Sequence, residues 1–174
     1  MPGNHEEYLL VDGYNIINAW PELDEAKNTS LEAAREKLLD IMADYAGHTG
    51  VGVIVVFDAH QVEKSRRVQY VKNGVQVVFT KEGETADHYI EKMADLLGRQ
   101  EKVRVATSDW IEQQIVMGRG AIRISARDLY REVKDIVDKR RAREKKDKNE
   151  KQTIGDRVDP RIWEIIEKNM KQDG

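Results

Sequence analysis

An apolar run followed closely by an acidic residue occurs four times in this chain, and that repetition constrains the fold more than any other feature. Tyr8-Leu9-Leu10-Val11 runs into Asp12-Gly13-Tyr14-Asn15, and Val53-Ile54-Val55-Val56-Phe57 runs into Asp58. Val75-Gln76-Val77-Val78-Phe79 runs toward Glu84 and Asp87, and Val103-Arg104-Val105-Ala106-Thr107 into Ser108-Asp109. The runs are rich in Val and Ile and lack clean alternation, as strands covered on both faces do. Helically spaced segments separate them, so the chain reads as an α/β fold: a three-layer α/β/α sandwich with a mostly parallel sheet. In such a sheet all four acidic ends fall along one edge. That edge, outside the carboxyl ends of the strands, is where open α/β sheets collect ligands.

The pattern predicts strands at 8–12, 51–57, 75–79 and 103–107, with a short one at 121–124. Between the first two, Thr29 and Glu32 suggest a capping box, Leu31, Ala34, Leu38, Ile41 and Tyr45 an apolar face, and Gly47 a stop. A second helix is expected from Thr85 to Leu97, with Ala86, Ile90, Met93 and Leu97 inward and Gly98 as the stop. A third is expected over Asp109 to Met117, closing at Gly118. Ser125 and Asp128 resemble the cap of a further helix, continuing through Leu129, Val133, Ile136 and Val137.

That helix loses its apolar stripe over 140–151, where only Ala142 suits a core, so this stretch is expected to project into solvent or to fray. Asp159-Pro160 then opens a short amphipathic helix with Ile162, Trp163, Ile165, Ile166 and Met170. Docking on the body is favoured over service to a partner, because Trp163 and Ile166 would otherwise expose an apolar patch. The expected organisation is an α/β domain over 1–138 and a basic helical arm with the amphipathic helix over 139–174.

Composition excludes several chemistries. The 174 residues include no cysteine, which removes disulfides, zinc–thiolate centres and Cys nucleophiles and fits a cytoplasmic protein. The polar, acidic start from Met1 to Glu7 is not a signal peptide, and no apolar run approaches the ~18 residues of a membrane span. Neither a GxxxxGK[ST] loop nor a GxGxxG fingerprint is present. His5, His48, His60 and His88 are scattered, and His60 and His88, the two near the acidic edge, have no Ser or Cys nucleophile motif nearby, which leaves a hydrolase triad unsupported. The net charge of −3 is uneven: residues 1–126 carry 14 Lys/Arg against 20 Asp/Glu, and residues 127–151 carry 11 against 7. An acidic body with a basic arm suits a metal-dependent enzyme acting on a polyanion; a solvated, charge-laced helix is the plainer reading of the same run.

A lone Asp at a strand end is usually a cap or turn residue. Four converging carboxylates, Asp12, Asp58, Asp87 and Asp109, repel one another, and a bound cation removes that penalty. Hard Mg²⁺ or Mn²⁺ matches an all-oxygen donor set. Gly13 implies either close backbone approach or a positive φ. Asn15 could orient Asp12, touch substrate, or close an Asx turn, and Ser108 could cap a helix or assist the metal shell. Tyr14 and Trp20 read first as core residues, with base stacking as the lesser alternative. The polar stretch 61–73 carries Lys64, Arg66 and Arg67 beside the acidic edge, suited either to phosphate contact or to an ordinary loop.

Taken in order, Leu10-Val11-Asp12-Gly13-Tyr14-Asn15, Val56-Phe57-Asp58-Ala59, Glu84-Thr85-Ala86-Asp87 and Ala106-Thr107-Ser108-Asp109 resemble the NYN branch of the PIN-like nucleases, and closely its bacterial YacP family. The resemblance covers about residues 8–150 and implies a metal-dependent endoribonuclease. It places Asp12, Asp58, Asp87 and Asp109 at the acidic positions and Asn15 and Ser108 at polar positions beside them. Similarity to a ribosome-associated mRNA endonuclease of Gram-positive bacteria implies an mRNA substrate met during translation.

The expected chemistry is phosphodiester hydrolysis, with Asp12 and Asp87 on one Mg²⁺ or Mn²⁺ and Asp58 and Asp109 completing its shell through water or binding a second ion. Lys64, Arg66, Arg67, Arg140, Arg141, Arg143, Lys145 and Lys146 are the candidate RNA contacts. Two other classes remain: a Mg²⁺-dependent phosphatase or phosphoaspartate receiver, and a non-catalytic RNA or ribosome binder. Against the phosphatase, Asp12 is followed by Gly-Tyr and not by a second Asp two residues on.

Overall fold

The computed structural model describes residues 5–59, 67–108 and 121–157, together with Glu164 and Lys168; for 152–157 it describes the helical backbone alone. Six strands form one sheet: β1 (Glu7–Asp12), β2 (Gly52–Phe57), β3 (Val68–Lys72), β4 (Val75–Phe79), β5 (Lys102–Ala106) and β6 (Ile122–Ile124). Their spatial order is β3-β4-β2-β1-β5-β6. Every neighbouring pair is parallel except β3–β4. The five strands expected from sequence are all present.

The helices are α1 (Gly13–Ala19), α2 (Asp24–Thr29), α3 (Leu31–Thr49), α4 (Ala86–Leu97) and α5 (Ala126–Arg157), with a 3₁₀ turn at Pro21–Leu23. Alternate strand residues serve opposite layers. Leu10, Ile54, Val56, Val78, Val103 and Val105 pack with Ala86, Tyr89, Ile90 and Ala94 of α4. The residues between them, Leu9, Val11, Val53, Val55 and Val77, are also buried, on the face where α1 and α3 contact the sheet. All six residues of β2 are buried, which explains its unbroken Val/Ile run.

Three details differ from the sequence expectation. The helix before β2 is capped by Ser30, whose hydroxyl accepts from the Ala33 N–H at 2.9 Å, while the Thr29 hydroxyl donates to the Glu25 carbonyl. It runs past Gly47 and stops at Gly50, which sits at φ 73° where a side chain would be strained. The stretch read as a polar loop contains β3, joined to β4 by Asn73-Gly74, both at positive φ (50° and 84°), as a two-residue hairpin turn requires. The Thr85 and Ser125 caps form as expected, accepting from the His88 and Asp128 N–H groups. The helix expected at 109–117 and the amphipathic helix after Asp159 lie outside the described residues.

The chain divides into two units, Met1–Lys134 and Asp135–Gly174. Within the second, α5 remains helical through the charged run, and residues 141–151 are all exposed. No helix among the described residues is long and apolar enough to cross a membrane.

Candidate active site

Parallel pairing of β1 with β2 and β5, and of β2 with β4, puts the carboxyl ends of four strands on one edge. The chain goes from β1 to β2 on one side and later to β5 on the other, so β1/β5 is the switch point where a crevice opens. Asp12 is the last residue of β1 and the N-cap of α1. Asp58 follows β2 directly, and its Oδ2 accepts from the Ala86 N–H at 3.4 Å, tying β2 to the start of α4. Asp87 lies in the first turn of α4. All three side chains are half-buried.

Asn15 spans the switch point. Its Oδ1 accepts from the Ser108 N–H at 2.7 Å, joining the start of α1 to the loop after β5. That bond explains an Asn at this position without an Asx turn. Thr107 is fully buried and Ser108 exposed, so only the Ser108 hydroxyl of that pair faces outward. Asp109 lies outside the described residues. Gly13 answers its sequence alternative: a Cβ there would collide with the buried Phe57 ring, so close approach is its reason.

The donor chemistry suits a hard cation, yet among the described residues no three His, Cys, Asp or Glu side chains gather closely enough to hold a metal ion. The predicted metal set therefore has Asp109 as its undescribed member.

Sequence reasoning missed several residues that shape this edge. Thr80, fully buried, accepts from the Ala59 N–H at 2.9 Å while its own N–H donates to the Phe57 carbonyl. These bonds hold the backbone on either side of Asp58. Tyr14 is tilted against Phe57 at 5.1 Å, and its hydroxyl accepts from Arg35 Nη1 at 3.2 Å. Burial pushes the Tyr14 hydroxyl pKa up; Arg35 opposes this and the Asp58 charge adds to it, which puts Tyr14 within electrostatic reach of the acidic edge. No local pattern marks Arg35, which reaches the edge only because α3 packs there.

Of the predicted RNA contacts, Lys64 and Arg66 lie outside the described residues. Arg67 pairs with Glu84 through both Nε and Nη2 and lies 5.1 Å over the Tyr89 ring. Burial raises the Glu84 pKa, but the Arg67 hydrogen bonds outweigh it and hold the carboxyl below its ordinary value. Arg141, Arg143, Lys145 and Lys146 are exposed on α5 and Arg140 is partly covered.

The pattern of a YacP-like NYN domain matches residues 9–171. The chain is 51% identical over 131 residues to the uncharacterized protein YacP of Bacillus subtilis strain 168, covering 75% of this chain and 76% of that protein. It also resembles two crystal structures of Rae1 (YacP) from Bacillus subtilis. One, of a point mutant, gives a TM-score of 0.73 at 47% identity over 83% of this chain and 85% of that one. The other gives 0.72 at 44% identity over 95% of both chains. Sequence pattern, identity and backbone agree over nearly the whole length: the chain belongs to the YacP-like NYN family.

Proposed function

We propose that this protein is a metal-dependent endoribonuclease that cuts mRNA, engaged on the translating ribosome. The observation that carries the reading is the placement of Asp12, Asp58 and Asp87 along the carboxyl edge of a parallel sheet, with Asp12 at its switch point, in a chain of this family. Asp12 and Asp87 would hold Mg²⁺ or Mn²⁺ directly, with Asp58 and Asp109 completing the shell. Such a cation, when bound, supplies a water of lowered pKa and neutralises charge on the scissile phosphate.

The chain's own groups do the rest. Asn15 and Ser108 fix the mouth of the crevice and offer polar atoms to water or phosphate. Thr80 and Ala86 hold the Asp58 loop in one geometry, so little reorganisation is left for the moment of reaction. The nuclease domain is assigned to 1–138 and the arm to 139–174. The arm cations draw the RNA backbone in, so arm-dependent affinity falls steeply with salt.

The test is RNA cleavage with and without translating ribosomes, comparing the native chain with Asp12→Asn and Asp87→Asn in Mg²⁺, Mn²⁺ and EDTA. Cuts that need both carboxylates and metal are the expected result; cuts seen only with ribosomes assign the partner as well. Ribosome sedimentation without cleavage under any condition would replace the enzyme by a binding module.

A further inference from the structure

Four aromatic rings lead away from the carboxylate edge. Tyr14 lies two residues beyond Asp12 and touches Phe57; Phe57 stacks on Phe79 at 5.2 Å; Phe79 stacks on Tyr70 at 6.5 Å with 20° between the planes. Phe57 and Phe79, the last residues of β2 and β4, are buried. Tyr70, on the edge strand β3, is 40% exposed. The β3–β4 register sets Tyr70 opposite Val77 and Val68 opposite Phe79, so Tyr70 stands on the face of the sheet that α3 covers. Arg35 reaches onto this ladder from α3, its guanidinium 5.5 Å from the Phe79 ring centre and bonded to the Tyr14 hydroxyl.

The charges around the ladder are unequal. Arg67 is paired with Glu84 and Lys72 with Glu36. Arg35 has no carboxylate partner among the described residues; its contacts are a ring and a phenol. A guanidinium held over an aromatic ring and bonded to a phenol is restrained in position and can still present donors to a phosphate. Cations alternating with aromatic faces are how proteins hold single-stranded nucleic acid, with phosphates on the cations and bases stacked on the rings.

We infer that Arg35 and Tyr70 form a subsite for single-stranded RNA, Arg35 taking a phosphate and Tyr70 stacking a base of the strand that leaves the carboxylate edge toward β3. The subsite rests on the endoribonuclease reading and gives it a direction. The strand crosses the ends of β2 and β4 on the α3 face, with no need for Arg67 as a phosphate contact. Tyr70 is a binding residue whose hydroxyl is dispensable, because a base needs the face of the ring.

The full chain carrying Asp12→Asn, which holds RNA without cutting it, is titrated with a single-stranded oligoribonucleotide bearing 2-aminopurine at successive positions. At one position fluorescence is quenched on binding. Tyr70→Ala restores it and weakens binding about tenfold, the weight of one stacked base. Tyr70→Phe and Tyr70→Trp keep the quench, which separates stacking from damage to the fold. Arg35→Gln weakens binding and lowers the slope of log affinity against log salt by about 0.7, one phosphate contact on a single strand. Full affinity and quenching in Tyr70→Ala, with the native chain still cutting RNA, would overturn the subsite alone. A native chain that neither binds nor cuts RNA, with or without ribosomes, would overturn the nuclease reading and the subsite with it.

Discussion

The two ends of β1 carry acidic residues in opposite circumstances. At its start, Glu7 accepts from Arg104 Nε at 2.5 Å, and the same guanidinium meets Glu132 at 3.1 Å and the Tyr45 hydroxyl at 2.7 Å. Tyr45 in turn donates to Glu132 at 2.6 Å. Two carboxylates, a phenol and one cation thus lock β1, β5, α3 and the first turns of α5 together. Burial raises the Glu132 pKa, but bonds from Arg104 and Tyr45 overcome it and hold the group below its ordinary value. At the other end, Asp12 and Asp58 are set by strand ends, and the bonds that shape their surroundings come from backbone N–H groups of Ala59, Ala86 and Ser108. One end ties four elements together through a single guanidinium; the other is ordered by backbone N–H groups, among them the Ala86 N–H that Asp58 accepts.

This contrast predicts separable effects. The largest is Asp12→Asn, which should lower RNA cleavage by at least ~100-fold, since removing a ligand forfeits several kcal/mol of charge stabilisation. Its urea midpoint should change little, since Asn serves as well as Asp at the N-cap of α1. Arg104→Met should do the reverse. It leaves Glu7 and Glu132 uncompensated in a place where the Arg104 side chain is only 18% exposed, and should lose about 2–3 kcal/mol in urea unfolding, with cleavage per folded molecule unchanged. If both variants lost activity and stability together, the division between the two ends would fail.

Gly13→Ala tests the packing under the acidic edge. The added methyl must displace the Phe57 ring, with an expected loss of about 1–3 kcal/mol by thermal unfolding. Thr80→Val leaves the Ala59 N–H without its acceptor and should remove about 1–2 kcal/mol, together with a fall in kcat larger than any change in KM. The smallest effect concerns pH. The Glu132 carboxyl titrates below its unfolded value of 4.5, so its contribution is complete above that pH and is lost as pH falls through the lower folded value. Glu132→Gln should flatten that part of the acid limb of a stability–pH curve, whereas an unchanged limb would place the acid sensitivity elsewhere.

Much of the architecture was legible because burial on both faces writes itself into local composition: β2 is an unbroken apolar run, β1 carries Leu-Leu-Val, β4 and β5 are Val-rich, and Thr85 and Ser125 cap their helices as the spacing suggests. Strand β3 was obscured because an edge strand shows its side chains to solvent; Gln69, Tyr70 and Val71 are all exposed. The Asn73-Gly74 dipeptide was the available signal for it. Asp12, Asp58 and Asp87 could be placed on one edge because strand ends can be read from sequence. The roles of Arg35, Thr80 and Arg104 could not, since each depends on a partner far along the chain that only the packed sheet brings near.

The bond from Asn15 to Ser108 joins residues 93 positions apart. A chain emerging during its own synthesis has already made Asp12, Asp58 and Asp87 by the time α4 is complete, yet β1 still lacks its β5 neighbour and one wall of the crevice. The switch point therefore closes only late in translation. The crevice is thus the product of a closure over 93 positions, completed only once β5 and the loop after it have been made.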